Sequence, residues 1–461
     1  MRTVLIAWTL LAALGSAALA AERPNIVFFL VDDLGRTDVG FMGGKDIRTP
    51  HIDKLARAGA ILDSHYVQPV CSPTRAALMT GRYATHTGVY TIVRPHAGWG
   101  LPLEERTLAG ALKDAGYETA ITGKWHLGEF EPAYRPTARG FDHQYGHYFG
   151  AIDYFTHIRD GDHDWHRDDM ELKEEGYSTE LIAREACRLI AAKDKSKPLF
   201  LYVPFNGVHS PFQVPERYLT PYAELKGNRR QTAGMIAAVD EAIGQIVAAL
   251  EAAGLRDDTL IVFSSDNGGP NPGSVSTNGA LRAGKGTIHE GGIRVCAFAN
   301  WPGRIPAGVT IKEPMHAVDW FPTLVKLAGG SLATDKQRLE LDGRDVWPML
   351  TEGAKSPHEA ILCVQSPQRA AVRMGDWKLI VNAAAKASEA AATPAPARRK
   401  RRQQATMGDG VELYNLATDI GETTNLADKE PQRVSSMRAT LAALLKDAAP
   451  EGHLGKQDIG R

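Results

Sequence analysis

The sequence predicts an α/β protein with a large, mostly parallel (mixed) sheet flanked by helices and a smaller C-terminal α+β subdomain. Up to residue 355, short apolar runs with β character alternate with helical patterns, which is typical of parallel strands joined by helices. Beyond residue 355 the pattern changes to four short strand-like runs and a last helix, which indicates a short antiparallel sheet. A single hydrophobic core usually stops growing at about 250 to 300 residues. The chain has 461 residues, which favours one large domain and a smaller one.

The first twenty residues have the layout of a cleaved secretory signal peptide. Arg2 precedes a mainly apolar stretch at 4–14, and small residues follow, ending in Ala18-Leu19-Ala20. A membrane anchor is the alternative, but the stretch is short for a bilayer span, and no later segment of the sequence reaches about 18 uninterrupted apolar residues. We therefore expect an exported protein, in a bacterial periplasm or secreted, with no membrane span in the mature chain.

Hydrophobic spacing predicts the elements of the large domain. Apolar β-type runs lie at 26–31, 119–122, 199–205 and 260–263, and helical patterns lie at 53–60 and 232–253. In the second helix the apolar residues at helical spacing are Met235, Ile236, Val239, Ile243, Ile246, Val247 and Leu250. That stripe indicates a helix packed in the core.

The C-terminal part is predicted as a small sheet with one helix. Its strand-like runs and helix lie at 360–364, 371–373, 377–381, 412–416 and 432–445. The segment 383–410 is rich in Ala and Pro and carries a basic run at 398–402, so we expect a flexible surface loop, with polyanion binding as the alternative. The predicted division is a signal peptide at 1–20, a large domain at 21–355 and a C-terminal subdomain at 356–461.

Charge and cysteine content exclude some classes of function. The net charge is -1, which gives no bulk electrostatic reason to bind nucleic acid or anionic lipid. The cysteines Cys71, Cys187, Cys296 and Cys363 are few and far apart, so they do not form a disulfide framework, and their pairing stays open.

Polar residues follow the predicted strands at the point where each strand ends. They are Asp32 and Asp33, Lys124 and His126, His209, and Asp266 with Asn267. Because ligands bind at the carboxyl ends of strands in open α/β sheets, we expect these segments to converge.

Four of these residues predict a site for a hard cation. Asp32, Asp33, Asp266 and Asn267 supply three carboxylates and an amide oxygen, which suit calcium or magnesium better than zinc. Helix caps or turns are the alternative for each motif taken alone.

Cys71-Ser72-Pro73-Thr74-Arg75 begins a predicted helix that runs to Thr80, with the proline tolerated in the first turn. A residue at a helix entrance faces oriented backbone N–H groups, which favour an anion. A lone cysteine there is more often a small buried residue than a nucleophile.

These motifs resemble those of a known family. Cys71 to Arg75, continuing through Leu78, Thr80, Gly81 and Arg82, resembles the first signature of the formylglycine-dependent sulfatases, and the segment 116–128 resembles their second. Asp32-Asp33, His209, Asp266-Asn267-Gly268-Gly269, and Lys285 before Glu290-Gly291-Gly292 follow in the family's order. The resemblance covers essentially the whole mature chain and implies an alkaline-phosphatase-like fold.

The resemblance also implies a chemistry. A formylglycine-generating (sulfatase-modifying) enzyme would oxidise Cys71 to 3-oxoalanine, whose hydrate is the nucleophile. Calcium, or alternatively magnesium, would be held by Asp32, Asp33, Asp266, Asn267 and the modified residue 71. Arg75 and Lys124 would steady the hydrate, His126 would act as base, and His209, Lys285 and Lys124 would contact the sulfate. Trp125, His289 and Glu290 would pack behind the site.

The finer resemblance is to the arylsulfatase B group, the N-acetylgalactosamine-4-sulfatases, through segments at 47–53, 136–146 and 208–215. It implies release of inorganic sulfate from a sulfated carbohydrate of the N-acetylgalactosamine 4-sulfate type, or from an aryl sulfate. Two alternatives stay open: a phosphate or phosphonate ester hydrolase of the same superfamily, and a sulfated-glycan-binding protein whose Cys71 is never modified. The histidines between 143 and 166 are irregularly spaced and indicate loop or pocket residues.

Overall fold

The structure is a computed structural model that describes residues 23–382 and 410–452. The predicted signal peptide lies outside these residues, as does the predicted loop at 383–410 apart from its last residue. The bounds of the predicted division at 20 and 355 therefore stay predictions.

The large domain is built on a mixed sheet that the described residues form from ten strands. The strands of this part of the chain are β1 (Asn25–Val31), β2 (Ala60–Leu62), β3 (His65–Tyr66), β4 (Glu118–Lys124), β5 (His143–His147), β6 (Ile158–Arg159), β7 (Asp162–His163), β8 (His166–Arg167), β9 (Met170–Glu171), β10 (Leu199–Phe205), β11 (Thr259–Ser265), β12 (Arg294–Val295), β13 (Ala297–Asn300), β14 (Val309–Ile311) and β15 (Met315–His316). The order across the sheet is β14-β2-β13-β11-β1-β10-β4-β5-β8-β9.

The five central strands of this sheet run parallel. β1 pairs in parallel with β10 and with β11, β10 pairs in parallel with β4, and β4 pairs in parallel with β5. β13 and β8 join antiparallel on the two sides. The predicted mostly parallel, mixed sheet is therefore confirmed, and the carboxyl ends of its central strands lie at one edge.

Helices cover both faces of the sheet. They are α1 (Pro50–Arg57), α2 (Cys71–Thr80), α3 (Ala84–Thr87), α4 (Leu108–Asp114), α5 (Ser178–Ala192), α6 (Glu216–Leu219), α7 (Gly227–Ala252), α8 (Glu290–Ile293), α9 (Trp320–Leu327) and α10 (Trp347–Glu352). Alternate residues of β1 enter two different cores: Val27 and Phe29 pack with α5 and α7, whereas Ile26 and Phe28 pack with α2, α4 and α9. A strand buried on both faces reads as a continuous apolar run, which is why β1 could be recognised.

The core helix predicted at 232–253 is α7, which begins five residues earlier at Gly227 and ends at Ala252. Within the described residues it is the one helix long and apolar enough to cross a membrane, and 61% of its most apolar window is buried inside the protein. Met235, Ile243 and Ile246 are completely buried against the sheet. Burial of that stripe accounts for the apolar composition without a membrane.

The structure corrects the first predicted helix. α1 spans Pro50–Arg57 rather than 53–60, and Ala60 already begins β2. Pro50 fits the first helical turn because its missing N–H is not needed there. The carboxylate of Asp240, on α7, accepts hydrogen bonds from the backbone N–H groups of His51 and Ile52. This cap comes from a residue almost 190 positions away, so local sequence could not show it.

The C-terminal part forms the predicted short antiparallel sheet. Its elements are β16 (Ile361–Ser366), β17 (Arg369–Met374), β18 (Trp377–Asn382), β19 (Val411–Asn415) and α11 (Pro431–Leu444). The four strands pair antiparallel in sequence order. Ile361, Ile380 and Tyr414 pack against Ile288 and Ile293 of the large domain, so one face of this sheet supports the loop before α8.

Candidate active site

The carboxyl edge of the central sheet brings distant segments together. Asp32 and Asp33 follow β1, and Asp266 follows β11, the strand beside it. The backbone N–H of Asp33 donates to Oδ1 of Asp266 at 3.2 Å, and the N–H of Asp32 donates to the carbonyl of Gly207 beyond β10 at 3.0 Å. Lys124 ends β4. The predicted convergence of these segments is thus observed.

Three carboxylates surround Cys71. One ligand atom each from Asp32, Asp33, Cys71 and Asp266 lies within 4.8 Å of the others, and all four residues are buried. Sγ of Cys71 lies 3.4 Å from Oδ1 of Asp32 and 3.5 Å from Oδ1 of Asn267. The amide nitrogen of Asn267 donates to Asp33 at 2.8 Å, which turns its oxygen towards Cys71.

Helix α2 places Cys71 in this cluster. Cys71 is its first residue, and every residue of the helix is buried. Thr74 holds the entrance, because its hydroxyl donates to the carbonyl of Gln68 at 3.1 Å and accepts from the N–H of Gln68 at 2.9 Å. The hydroxyl of Ser72 donates to the carbonyl of His126 at 2.9 Å. Both predicted signature motifs are therefore in direct contact.

Three cations balance the three carboxylates. Arg75 donates to Asp266 at 2.8 Å and to the carbonyl of Lys124 at 3.1 Å. The ammonium of Lys124 contacts Asp32, and that of Lys285 lies 2.6 Å from Asp33. Arg75 and Lys124 are completely buried, whereas the side chain of Lys285 is 19% exposed. Lys285 therefore lies at the mouth of the site.

The neighbours of each acid set its pKa. Burial alone would raise the pKa of Asp32, but Lys124, His209 and Arg75 outweigh it and hold that pKa well below its usual value. Burial and the charge of Asp32 raise the pKa of Asp266 to about 6. Burial, together with Asp266 and Asp32, raises the pKa of the Cys71 thiol. The thiol therefore stays protonated at neutral pH.

Two histidines lie beside the cluster. Burial and the charges of Lys124 and Arg75 hold the pKa of His126 well below its usual value, so the imidazole is neutral. Its Nδ1 has no hydrogen-bond partner among the described residues. Nδ1 of His209 lies 2.6 Å from the carbonyl of Ser210, and Nε2 lies 3.7 Å from Asp33. His209 therefore directs a partly exposed nitrogen towards the carboxylate cluster, whereas the nitrogen of His126 without a partner is buried.

Comparison with known proteins decides the family. The sulfatase family model matches residues 24–331. The chain belongs to the sulfatase family. Arylsulfatase J of Mus musculus is 36% identical over 464 residues, covering 93% of this chain and 77% of that protein. N-acetylgalactosamine-6-sulfatase of Canis lupus familiaris is 33% identical over 403 residues, covering 80% and 75%.

Solved structures agree with this assignment. The crystal structure of Ps i-CgsB in complex with k-i-k-neocarrahexaose superposes with a TM-score of 0.82 at 32% identity and covers 93% of this chain and 94% of that one. The large mixed sheet with its small antiparallel C-terminal sheet is thus the alkaline-phosphatase-like sulfatase fold, and this sulfatase is an enzyme that hydrolyses sulfate esters.

The residues of this sulfatase fit a divalent metal ion. Its donors are carboxylate and amide oxygens with one sulfur at the position predicted to be modified, a set that suits calcium or magnesium. When all six groups are ionised, Asp32, Asp33 and Asp266 balance Arg75, Lys124 and Lys285. A divalent ion would therefore leave the cluster with a charge of about +2, which complements the anionic sulfate group.

The sequence did not indicate two features that hold this sulfatase site. Gly150 faces Nε2 of His126 so closely that a Cβ on the glycine would lie 2.4 Å from it. The loop that carries Lys285 is tied to the C-terminal sheet by Arg282, which donates to Glu412 and to the hydroxyl of Tyr414. The first feature has no sequence signal, whereas the Glu290-Gly291-Gly292 motif could have drawn attention to the second.

Proposed function

We propose that this sulfatase releases inorganic sulfate from a sulfated carbohydrate of the N-acetylgalactosamine 4-sulfate type, with a formylglycine made from Cys71 and a bound calcium ion. The observation that carries the proposal is the position of Sγ of Cys71, within 3.5 Å of Asp32 and Asn267 and beside three cations. Magnesium is the alternative ion, and aryl sulfates would be smaller substrates of the same site.

Cys71 itself is poorly suited to attack as a thiol. Its raised pKa keeps it protonated, and the thiolate is the reactive form of cysteine. As formylglycine, the residue would supply a hydrated aldehyde hydroxyl as nucleophile. Cys71, Pro73 and Arg75 are all buried, so a modifying enzyme that reads this motif would have to meet it before the segment folds.

The surrounding side chains have roles that follow from their positions. Arg75 and Lys124 are buried beside residue 71 and would steady the nucleophile and its developing negative charge. The neutral imidazole of His126 can accept a proton. His209 and Lys285, which are 20% and 19% exposed at the mouth, are placed to contact the sulfate and the departing oxygen. A bound cation would add Lewis-acid polarisation of the sulfate ester.

The similar proteins support a carbohydrate substrate. One relative is named for N-acetylgalactosamine 6-sulfate hydrolysis, and one similar structure holds k-i-k-neocarrahexaose. Loops around a fixed catalytic scaffold vary and determine which substrate binds. The 4-sulfate position is therefore the most specific part of the proposal.

The function is tested with protein expressed with and without a formylglycine-generating enzyme in the same cell. We expect co-expressed protein to release sulfate from 4-nitrophenyl sulfate and N-acetylgalactosamine 4-sulfate faster than phosphate from 4-nitrophenyl phosphate. Peptide mass should show the aldehyde only after co-expression and not after the enzyme is mixed with folded protein. Faster phosphate release would instead support the phosphohydrolase alternative. In the native host, the intact mass also tests export through loss of residues 1–20.

Metal removal gives a second prediction. We expect a strong chelator to abolish sulfate release and to lower the melting temperature, because an ion that binds the folded carboxylate cluster and not the unfolded chain stabilises the fold by its binding free energy. Added calcium should restore both, with a stabilisation of about 2.7 kcal/mol at a hundred times its Kd. Asp266→Asn should weaken the calcium response. Full activity in protein shown by elemental analysis to be metal-free would contradict the site.

A further inference from the structure

The segment 149–154 forms a wall along the mouth of the site. It extends from the side chain of His126 to the backbone of His209. Gly150 at its start faces the imidazole of His126. Further along, the hydroxyl of Tyr154 lies 2.7 Å from the backbone carbonyls of both Asn206 and His209. The segment 149–154 therefore touches both histidines that lie beside the predicted sulfate position.

A hairpin continues from this wall. β6 and β7 pair antiparallel, and the turn between them consists of Asp160 and Gly161, both with positive φ, which is the typical geometry of a two-residue hairpin turn. Its base is fixed by Asp153, which accepts from Nε2 of Gln213 at 2.6 Å. The hairpin exposes Ile158, which is 43% exposed.

The hairpin meets a second loop through an exposed pair of side chains. Oδ2 of Asp162, on β7, lies 2.8 Å from Nε2 of His96. The ring of His96 packs edge-on against Phe149, the neighbour of Gly150, at 5.4 Å. His96 has φ of 59°, and its backbone N–H donates to Glu129 at 2.6 Å. A non-glycine residue in the left-handed region is costly, so this loop is held in place by its contacts.

We propose that His96 and Asp162 form a sugar subsite that binds hydroxyl groups of the saccharide whose sulfate ester is hydrolysed. This rests on the proposed function and deepens it by naming residues that select carbohydrate over aryl sulfates. The side chains are 46% and 42% exposed, so they keep hydrogen-bonding capacity towards a ligand while their mutual contact orients them.

The chemistry of this subsite fits neutral hydroxyl groups. A carboxylate accepts hydrogen bonds from hydroxyls, and an imidazole can donate or accept. The side chains of Glu129 and Asp164 lie behind the pair and accept hydrogen bonds from the backbone N–H groups of His96 and Phe149, which fixes the two loops.

The test compares two esters in modified, calcium-loaded protein. The selectivity ratio is kcat/KM for N-acetylgalactosamine 4-sulfate divided by kcat/KM for 4-nitrophenyl sulfate. We expect Asp162→Asn and His96→Ala each to lower this ratio about tenfold, as loss of a charged hydrogen bond would. The matched control is His86→Ala, which removes another 2.8 Å pair, with Asp342, outside the wall. It should leave the ratio unchanged.

An unchanged ratio would overturn the subsite, whether both values of kcat/KM stay at the parent level or fall by the same factor. A binding measurement decides the matter independently of turnover. In calcium-loaded Cys71→Ala protein, the Kd for N-acetylgalactosamine 4-sulfate should rise about tenfold when Asp162→Asn is added, and an unchanged Kd would overturn the inference. If modified parent protein releases no sulfate from either ester, the proposed function fails, and this Kd still decides whether the subsite exists.

Discussion

Replacing Cys71 by alanine is expected to lower kcat for sulfate release by on the order of 10⁴-fold or more, because the proposed nucleophile can be made only from this side chain. The protein should remain folded. Cys71 is small and 1% exposed, and its sulfur makes only weak hydrogen bonds to Asp32 and Asn267. The measurements are turnover of 4-nitrophenyl sulfate and the thermal melting curve of protein expressed with the modifying enzyme.

Cys187→Ala is the matched control. Cys187 is another free cysteine, half-buried on α5, and it packs at the margin of the core rather than in the site. The control should keep the parent rate, which would separate the chemistry of residue 71 from a general effect of thiol loss. Sulfate release near the parent rate by Cys71→Ala would refute the formylglycine mechanism. An unmodified Cys71 in the native host, with intact binding and no turnover, would favour the non-catalytic glycan-binding alternative.

The sequence could predict the site where chemistry and strand order coincide. The apolar run of β1 is followed directly by Asp32 and Asp33, and that of β11 by Asp266, so a parallel sheet was enough to place their carboxylates together. The bounds of β10 could also be predicted. Its seven residues form one apolar run, as expected for a strand that is buried throughout.

The features that the sequence could not predict depend on contacts between distant segments. The start of α1 depends on a cap from Asp240, and the mouth of the site depends on Gly150 and on the pair of His96 with Asp162. Such contacts leave no periodic pattern in the chain, since each joins residues that differ widely in sequence position. A buried polar network that joins the large domain to the C-terminal sheet is a further example. Its disruption is expected to lower both stability and activity.

Lys378 is the centre of that network. Its ammonium is 2.9 Å from Oε1 of Glu290 and 2.8 Å from Oε1 of Glu422, and all three side chains are buried. Glu422 also accepts from the backbone N–H of Glu290 at 2.7 Å, at the start of α8. β18 of the C-terminal sheet is thereby fixed to the end of the loop that carries Lys285.

Lys378→Met should destabilise the protein by about 3–5 kcal/mol, because it removes the cation that lies between the buried carboxyl groups of Glu290 and Glu422 and leaves only Arg294 and Arg373 near Glu290. We also expect a lower kcat, since the loop that places Lys285 loses its anchor. Equilibrium denaturation and turnover by the folded fraction measure the two effects. The matched control is Lys355→Met, which removes an exposed 2.8 Å pair with Glu313 and should change neither quantity measurably. Equal stability of both variants would show that the network contributes little.

The pH dependence of stability distinguishes loss of this cation from loss of packing. In the parent, burial would raise the pKa of Glu290, but Lys378, Arg294 and Arg373 outweigh it and lower that pKa to about 2. A depressed pKa stabilises the folded state above the unfolded value of about 4.3, and this contribution is lost as the pH falls towards 2. In the parent, burial already raises the pKa of Glu422. Without Lys378, burial should raise that pKa further and should also raise the pKa of Glu290 from its low value. The variant should therefore recover stability as the pH falls from 7 to 5, whereas a packing defect would leave the difference between parent and variant constant.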